Sequence, residues 1–183
     1  MWIYIHSQFL FTKDKYNKVY DYLSNNILYK PNIQQLFLQC EKYGDVYLIG
    51  GAIKDIAFFN RKPKDYDIII KSSNKIELNL PDCFKINLNS FGGYKIFYKE
   101  IIFDVWNCKD EQDIFNTSIK FNIDGLYINL TKNYYKDKLF NQAIIEGTVI
   151  FINNKNMHPV EGMDYKRGLK LANDFGLKYK YKE

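Results

Sequence analysis

The amino-acid sequence predicts an α+β domain built on a mixed sheet flanked by helices. Three observations carry that prediction. Residues 15–43 have helical periodicity, short apolar runs bounded by turn residues follow from Val46 onward, and the first of those runs ends in Gly50-Gly51 ahead of a second that opens with Asp65-Tyr66-Asp67.

The elements are read in chain order. Residues 15–28 and 32–43 form two helices divided by Pro31, the second ended by Gly44. Ile33, Leu36, Phe37 and Cys40 fall on one stripe of the second helix, the pattern of a face packed on a sheet. Strands are expected at 46–49, 66–71, 84–89, 93–98, 100–106 and 123–130, with Gly92-Gly93 and Lys99-Glu100 marking turns. Residues 109–116 are polar and fit either a helix or a loop, and residues 160–175 have a final helical pattern.

The segment Val46-Tyr47-Leu48-Ile49-Gly50-Gly51-Ala52-Ile53-Lys54-Asp55 reads as a buried strand, a glycine turn and a helix start. Glycines at such a turn let the backbone approach a ligand with no Cβ between, and free N–H groups at a helix start suit phosphate. Lys54, in the first turns of that helix, opposes the macrodipole unless an anion lies in front of it; the alternative is a side chain facing solvent. Asp65 and Asp67 stand two apart on a strand and share a face, where they repel and one tends to take up a proton unless a cation such as Mg²⁺ binds both; the alternative is a solvated strand end after a Pro-containing turn. Asp104 lies among Ile102 and Val105, and a carboxylate in such apolar company is costly unless it faces a ligand or bonds to a turn. Arg61, Lys62 and Lys64 place a basic cluster, or a solvated turn, beside the acidic pair.

In these residues the chain resembles the head domain of tRNA CCA-adding nucleotidyltransferases and bacterial poly(A) polymerases, members of the DNA polymerase beta superfamily. The family signature Gly-Gly-x-Val-Arg-Asp, helix, Gly-Arg-x-x-x-Asp-x-Asp is matched by Gly50-Gly51-Ala52-Ile53-Lys54-Asp55 and Asn60-Arg61-Lys62-Pro63-Lys64-Asp65-Tyr66-Asp67. Phe91-Gly92-Gly93-Tyr94-Lys95-Ile96 is similar to the family's Phe-Gly-Thr hairpin strand, and Ile102-Phe103-Asp104-Val105 to the strand with its third acidic position. Phe121-Asn122-Ile123-Asp124-Gly125-Leu126-Tyr127 resembles Phe-Thr-Ile-Asn-Ala-Leu-Ala, residues 139–152 resemble the strand that closes the head, and Asp164-Tyr165-Lys166-Arg167-Gly168 resembles the start of the neck helix.

The resemblance implies a nucleotidyltransferase fold with residues 1–43 as a helical extension packed on the core, 44–158 as the head and 159–183 as a neck remnant, all one compact unit. It implies transfer of a nucleoside monophosphate from a nucleoside triphosphate to a hydroxyl acceptor, an RNA 3′ end among the candidates, with release of pyrophosphate. Asp65, Asp67 and Asp104 would be the catalytic residues and the ligands of Mg²⁺ or Mn²⁺. Gly50, Gly51, Lys54, Arg61 and Lys120 would bind the nucleotide. The chain departs from the family where Arg-Arg-Asp becomes Ser118-Ile119-Lys120, and the later neck and tail have no counterpart, so full CCA addition by this chain alone is not expected. The same departures support a second reading, a nucleotide- or RNA-binding module or antitoxin-like partner without turnover.

Length and composition are compatible with one such domain. At 183 residues, 46% hydrophobic and 17% aromatic, the chain can bury one sizeable core. A net charge of +5 is too modest to name a nucleic-acid partner by itself. Cys40, Cys83 and Cys108 lack the spacing of a zinc site or disulfide framework and read as small apolar residues. His6 and His158 stand isolated from any nucleophile or metal motif. No signal peptide is evident and no apolar run approaches the roughly 20 residues that span a bilayer, so a cytoplasmic protein is expected. The C-terminal Lys178-Tyr179-Lys180-Tyr181-Lys182 reads as a frayed tail or as a strip that stacks on single-stranded RNA.

Overall fold

A computed structural model describes residues 6–89, 92–152 and 162–180. Phe91, His158, the expected helix start at Val160, and Tyr181-Lys182 lie outside the described residues. The chain divides into two compact units, one of Lys13–Glu111 with the short segment 127–135, the other of Met1–Thr12, Gln112–Leu126 and Lys136–Glu183.

The first unit opens with α1 (Lys13–Leu23), whose Tyr16, Val19 and Leu23 are buried, and the chain continues without a break into a π-helical turn over Ser24–Leu28. Pro31 sits at the first position of α2 (Pro31–Glu41), where its missing N–H has no helical partner to lose. The stripe Ile33, Leu36, Phe37 and Cys40 is buried as its spacing predicts, and burial pushes the Cys40 thiol up to about 12, leaving it protonated and inert. Strand β1 (Val46–Ile49) leads through Gly50 into α3 (Gly51–Phe59), which ends at Asn60 in the left-handed conformation, φ 51°. Asparagine is the residue other than glycine that most readily adopts it, so Asn60 serves where the resembling family has glycine.

The strands β2 (Tyr66–Lys71), β3 (Lys85–Leu88), β4 (Tyr94–Tyr98), β5 (Ile101–Cys108), β6 (Tyr127–Asn129) and β7 (Tyr134–Lys136) complete a seven-stranded mixed sheet. Its order is β3-β4-β5-β2-β1-β6-β7. Strands β2 and β5 run parallel, whereas β1 is antiparallel to β2 and β6, and β3, β4 and β5 form an antiparallel run. Register sorts the side chains onto two faces. Val46, Leu48, Ile68, Ile70, Ile96, Phe103, Val105 and Ile128 share one face and are all buried. Helices α2 and α3 pack there, with Phe37 meeting Phe103 edge-on at 6.0 Å, and α1 packs on α3. The opposite face carries Ile49, Asp67, Asp104 and Lys95 in one cross-strand row.

The second unit contains most of α4 (Glu111–Ser118), then α5 (Lys138–Glu146), α6 (Met163–Phe175) and a two-stranded parallel sheet of β8 (Thr148–Ile150) and β9 (Lys178–Lys180). Phe121, Phe140, Val149 and Phe175 form its core, with Phe140 and Phe175 edge to face at 5.6 Å. Several expectations are corrected here. The strand expected over 123–130 is a 3₁₀ turn at Asn122–Asp124 followed by the shorter β6. The buried Asn122 side chain drives this, because it donates to the Thr148 carbonyl and accepts from the Ile123 and Ile150 N–H groups, which a strand could not satisfy together. The first half of 139–152 is helix, since Phe140, Ala143 and Ile144 repeat at helical spacing and Gly147 caps it at φ 66°.

The C-terminal tail is a strand rather than a frayed end as far as Lys180. Tyr179 packs on Tyr165 at 5.5 Å and on Phe121 at 6.3 Å, and a Cβ at Gly168 would lie 2.4 Å from its ring. Gly168 therefore admits an aromatic ring onto the backbone of α6, and Tyr179 is taken up by packing instead of being offered to RNA.

Candidate active site

Gly50 is the N-cap of α3 and adopts φ 79°, ψ −144°, which excludes most L-residues. A Cβ built there would lie 2.5 Å from Asp67 Oδ2, so the missing side chain is what lets the Asp67 carboxylate sit against the strand-to-helix turn. Gly51 begins the helix and faces open space. Asp67 is opposite Ile49 on β1 and beside Asp104 on β5, and in-register neighbours on adjacent strands are about 5 Å apart. Asp65 precedes β2 by one residue and is half-buried, as is Asp67.

Asp104 differs from the expectation of an apolar burial resolved by a ligand or a turn. The ammonium of Lys95, directly across on β4, lies 3.1 Å from its Oδ2. Sequence reading passed over Lys95, yet the signal was available: a two-residue turn at Lys99-Glu100 pairs Tyr98 with Ile101 and, three steps further, Lys95 with Asp104.

The remaining expected residues are placed as follows. Lys54 is 5% exposed and engaged within the protein, not facing solvent. Arg61 is exposed, with its guanidinium 4.8 Å from the Phe59 ring centre, and its backbone N–H donates to the Asp55 carbonyl. Lys62 reaches Glu100 at 3.3 Å on the surface. Lys120 belongs to the second unit, where its ammonium lies 3.2 Å from Asp164, while Arg167 pairs with the buried Asp124 at 3.1 Å. The structure thus gathers Gly50, Gly51, Asp67 and Asp104 with Lys95 in one unit, and engages Lys120 with a carboxylate in the other.

The tyrosines are more than general packing. Tyr47 and Tyr134 both reach Glu111 Oε1, at the start of α4, and Tyr127 donates to Oε2 at 3.2 Å. Burial, then the contact with Tyr134, raises the Tyr47 phenol well above its ordinary range, and burial with the Glu111 charge does the same for Tyr127. These bonds join β1, β6 and β7 to the first residue of α4. Nothing in the spacing of the tyrosines along the chain announces the cluster.

Whether the site suits a divalent cation is tested by its donors. Asp65, Asp67 and Asp104 offer only hard carboxylate oxygen, the chemistry Mg²⁺ and Mn²⁺ take, and the absent Cβ at Gly50 relieves the space beside Asp67. Among the described residues no three histidine, cysteine or acidic side chains are already drawn together as a metal centre, so the fit is one of donor type, with Asp67 and Asp104 sharing a face. Among the described residues, too, no helix is long and apolar enough to cross a membrane.

No protein-family model and no curated protein matches the sequence. Solved structures do. A CCA-adding enzyme in complex with ATP is similar over 89% of this chain at 21% identity with a TM-score of 0.60, and an apo form of a CCA-adding enzyme over 91% at 20% identity and 0.53. A Thermotoga maritima CCA-adding enzyme complexed with tRNA is similar over 91% at 17% identity and 0.53. The chain spans 42 to 43% of the length of these enzymes. At such identities the likeness speaks of architecture: the seven-stranded mixed sheet with its flanking helices is the nucleotidyltransferase fold of the CCA-adding enzymes.

Proposed function

We propose that the chain is a metal-dependent nucleotidyltransferase that moves a nucleoside monophosphate from a nucleoside triphosphate to a hydroxyl acceptor, an RNA 3′ end being the first acceptor to try. The observation that carries this reading is the placement of Asp67 against the Cβ-free turn at Gly50, beside Asp104 in the same row of the sheet. The similar solved enzymes, two of which hold ATP or tRNA, support the choice of substrates.

In this reading the N–H groups at the start of α3 bind the triphosphate, with the positive end of the helix macrodipole behind them. Gly50 and Gly51 let the phosphates approach the backbone, and Asp67 on β2, with Asp65 just before the strand, would hold Mg²⁺ or Mn²⁺. When bound, that cation supplies Lewis-acid stabilisation of charge on the phosphoryl oxygens. Positioning by these groups is where rate acceleration arises, since the transfer asks little covalent chemistry of the protein. A cytoplasmic setting suits these substrates.

The test is incubation with each α-labelled nucleoside triphosphate, Mg²⁺ or Mn²⁺ and total RNA, followed by asking what carries label. Transfer that disappears in Asp67→Asn, with the thermal transition of the protein intact, supports the reading. Undiminished labelling by Asp67→Asn refutes it. A second reading, a nucleotide- or RNA-binding module without turnover, draws support from Lys120, whose ammonium is paired with Asp164. It predicts nucleotide binding without label transfer.

A further inference from the structure

Lys95 occupies a position in the row of carboxylates that the proposed reaction does not use. The β4–β5 hairpin places it directly opposite Asp104, which is in turn beside Asp67 on β2. Its ammonium is 3.1 Å from Asp104 Oδ2, with the two side chains 39% and 20% exposed. Next in the row, on β3, stands Asn87, which is uncharged. The pair is a charge-assisted bond, partly exposed, on the face of the sheet that carries Asp67.

We propose that Lys95 is a built-in counter-cation which competes with a divalent ion for Asp104, so that Asp104 adds little to ion binding while Lys95 is in place and much when it is removed. The inference rests on the reading of Asp67 and Asp104 as a cation site. Its physical basis is simple: an ammonium already bonded to one carboxylate oxygen both occupies a donor and repels a second cation at short range. Lys95 is thus a positioning residue that tunes ion affinity.

The experiment is direct Mn²⁺ binding to the full chain, by electron paramagnetic resonance of free Mn²⁺ and by calorimetry, with no turnover required. Wild type, Lys95→Met, Lys95→Arg, Asp104→Asn, Lys95→Met with Asp104→Asn, and Asp67→Asn are compared, each checked for its folded circular dichroism. Lys95→Met is expected to tighten Mn²⁺ roughly threefold to tenfold, the range a half-exposed charge spans. Lys95→Arg keeps the wild-type affinity. Asp104→Asn weakens binding slightly in wild type and cancels the whole gain in the Lys95→Met background, a non-additive cycle that a merely structural lysine would not give. Unchanged or weaker binding in Lys95→Met, or a gain that survives Asp104→Asn, overturns the inference. Where the inference is overturned in that way but wild type binds Mn²⁺ and Asp67→Asn does not, the proposed function still stands. If neither wild type nor Lys95→Met binds Mn²⁺, both fall together.

Discussion

The two units treat their carboxylates in opposite ways. In the second unit Asp124 and Asp164 have side chains only 4% and 9% exposed, and each has a cation against it, Arg167 and Lys120 respectively. In the first unit Asp67 and Asp104 remain half-buried on an outward row, with a glycine cut away beside one and a half-exposed lysine beside the other. The difference is one of burial, and the half-open acids are the ones the proposed function uses. A charge buried with its partner has little room for a ligand, whereas one at a half-open edge next to a Cβ-free turn has space beside it.

The largest effect should come from closing that space. Gly50→Ala places a methyl 2.5 Å from Asp67 Oδ2 at φ 79°, ψ −144°, a region essentially confined to glycine, where an L-residue costs about 1–3 kcal/mol. Displacing the carboxylate by about an ångström is enough to lower nucleotide transfer on the order of a hundredfold. Label transfer and urea denaturation, measured on the same preparation, check this. A variant that loses stability while transferring label at the wild-type rate would make Gly50 a folding residue only.

The second prediction contrasts the two ion pairs. Arg167→Met keeps the aliphatic stem and removes the charge from the buried Asp124, and should cost about 2 kcal/mol, less than for a fully buried pair because Arg167 is itself half exposed. Lys95→Met should cost under about 0.5 kcal/mol, since both its members reach solvent. Denaturation midpoints of the two variants decide it. Equal costs would mean that burial does not distinguish the pairs.

How much of this was legible in the sequence follows from the range of each interaction. Periodicity is local, so β1 and β2 were read to their end residues and the buried stripe of α2 residue by residue. The glycine turn and the place of Asp67 on β2 were legible for the same reason, being set by spacing along one segment, whereas Asp65, expected on the same strand, falls one residue before it. The strand expected over 123–130 failed because a single buried amide, Asn122, bonds to partners on β8 that no local pattern reveals. The tail was misread because alternation of lysine and tyrosine in isolation looks solvated; the pocket for Tyr179 exists only because residue 168, on a different element, is glycine. Lys95 lay between these cases. Its partner is fixed by a short turn, and reading the hairpin register forward from Lys99-Glu100 would have found it.

The last prediction concerns a third way of satisfying a carboxylate, with phenols. Tyr47 is fully buried and its hydroxyl lies 3.3 Å from Glu111 Oε1; burial and the neighbouring Tyr134 raise its pKa above the unfolded value of about 10. Burial raises Tyr66 in the same direction. Between the unfolded and folded values the native protein holds more protons than the unfolded chain, so stability falls as pH rises, by up to about 1.4 kcal/mol per unit for each such tyrosine. The contribution is complete below about pH 10 and is lost on climbing above it. Tyr47→Phe should therefore cost about 1 kcal/mol at pH 8, where a hydrogen bond is removed, yet lose less than wild type between pH 10 and pH 11, where it has no phenol to ionise. Urea denaturation at the three pH values checks both signs. Parallel losses in the two proteins would place the alkaline sensitivity elsewhere and leave the Glu111 cluster with a packing role alone.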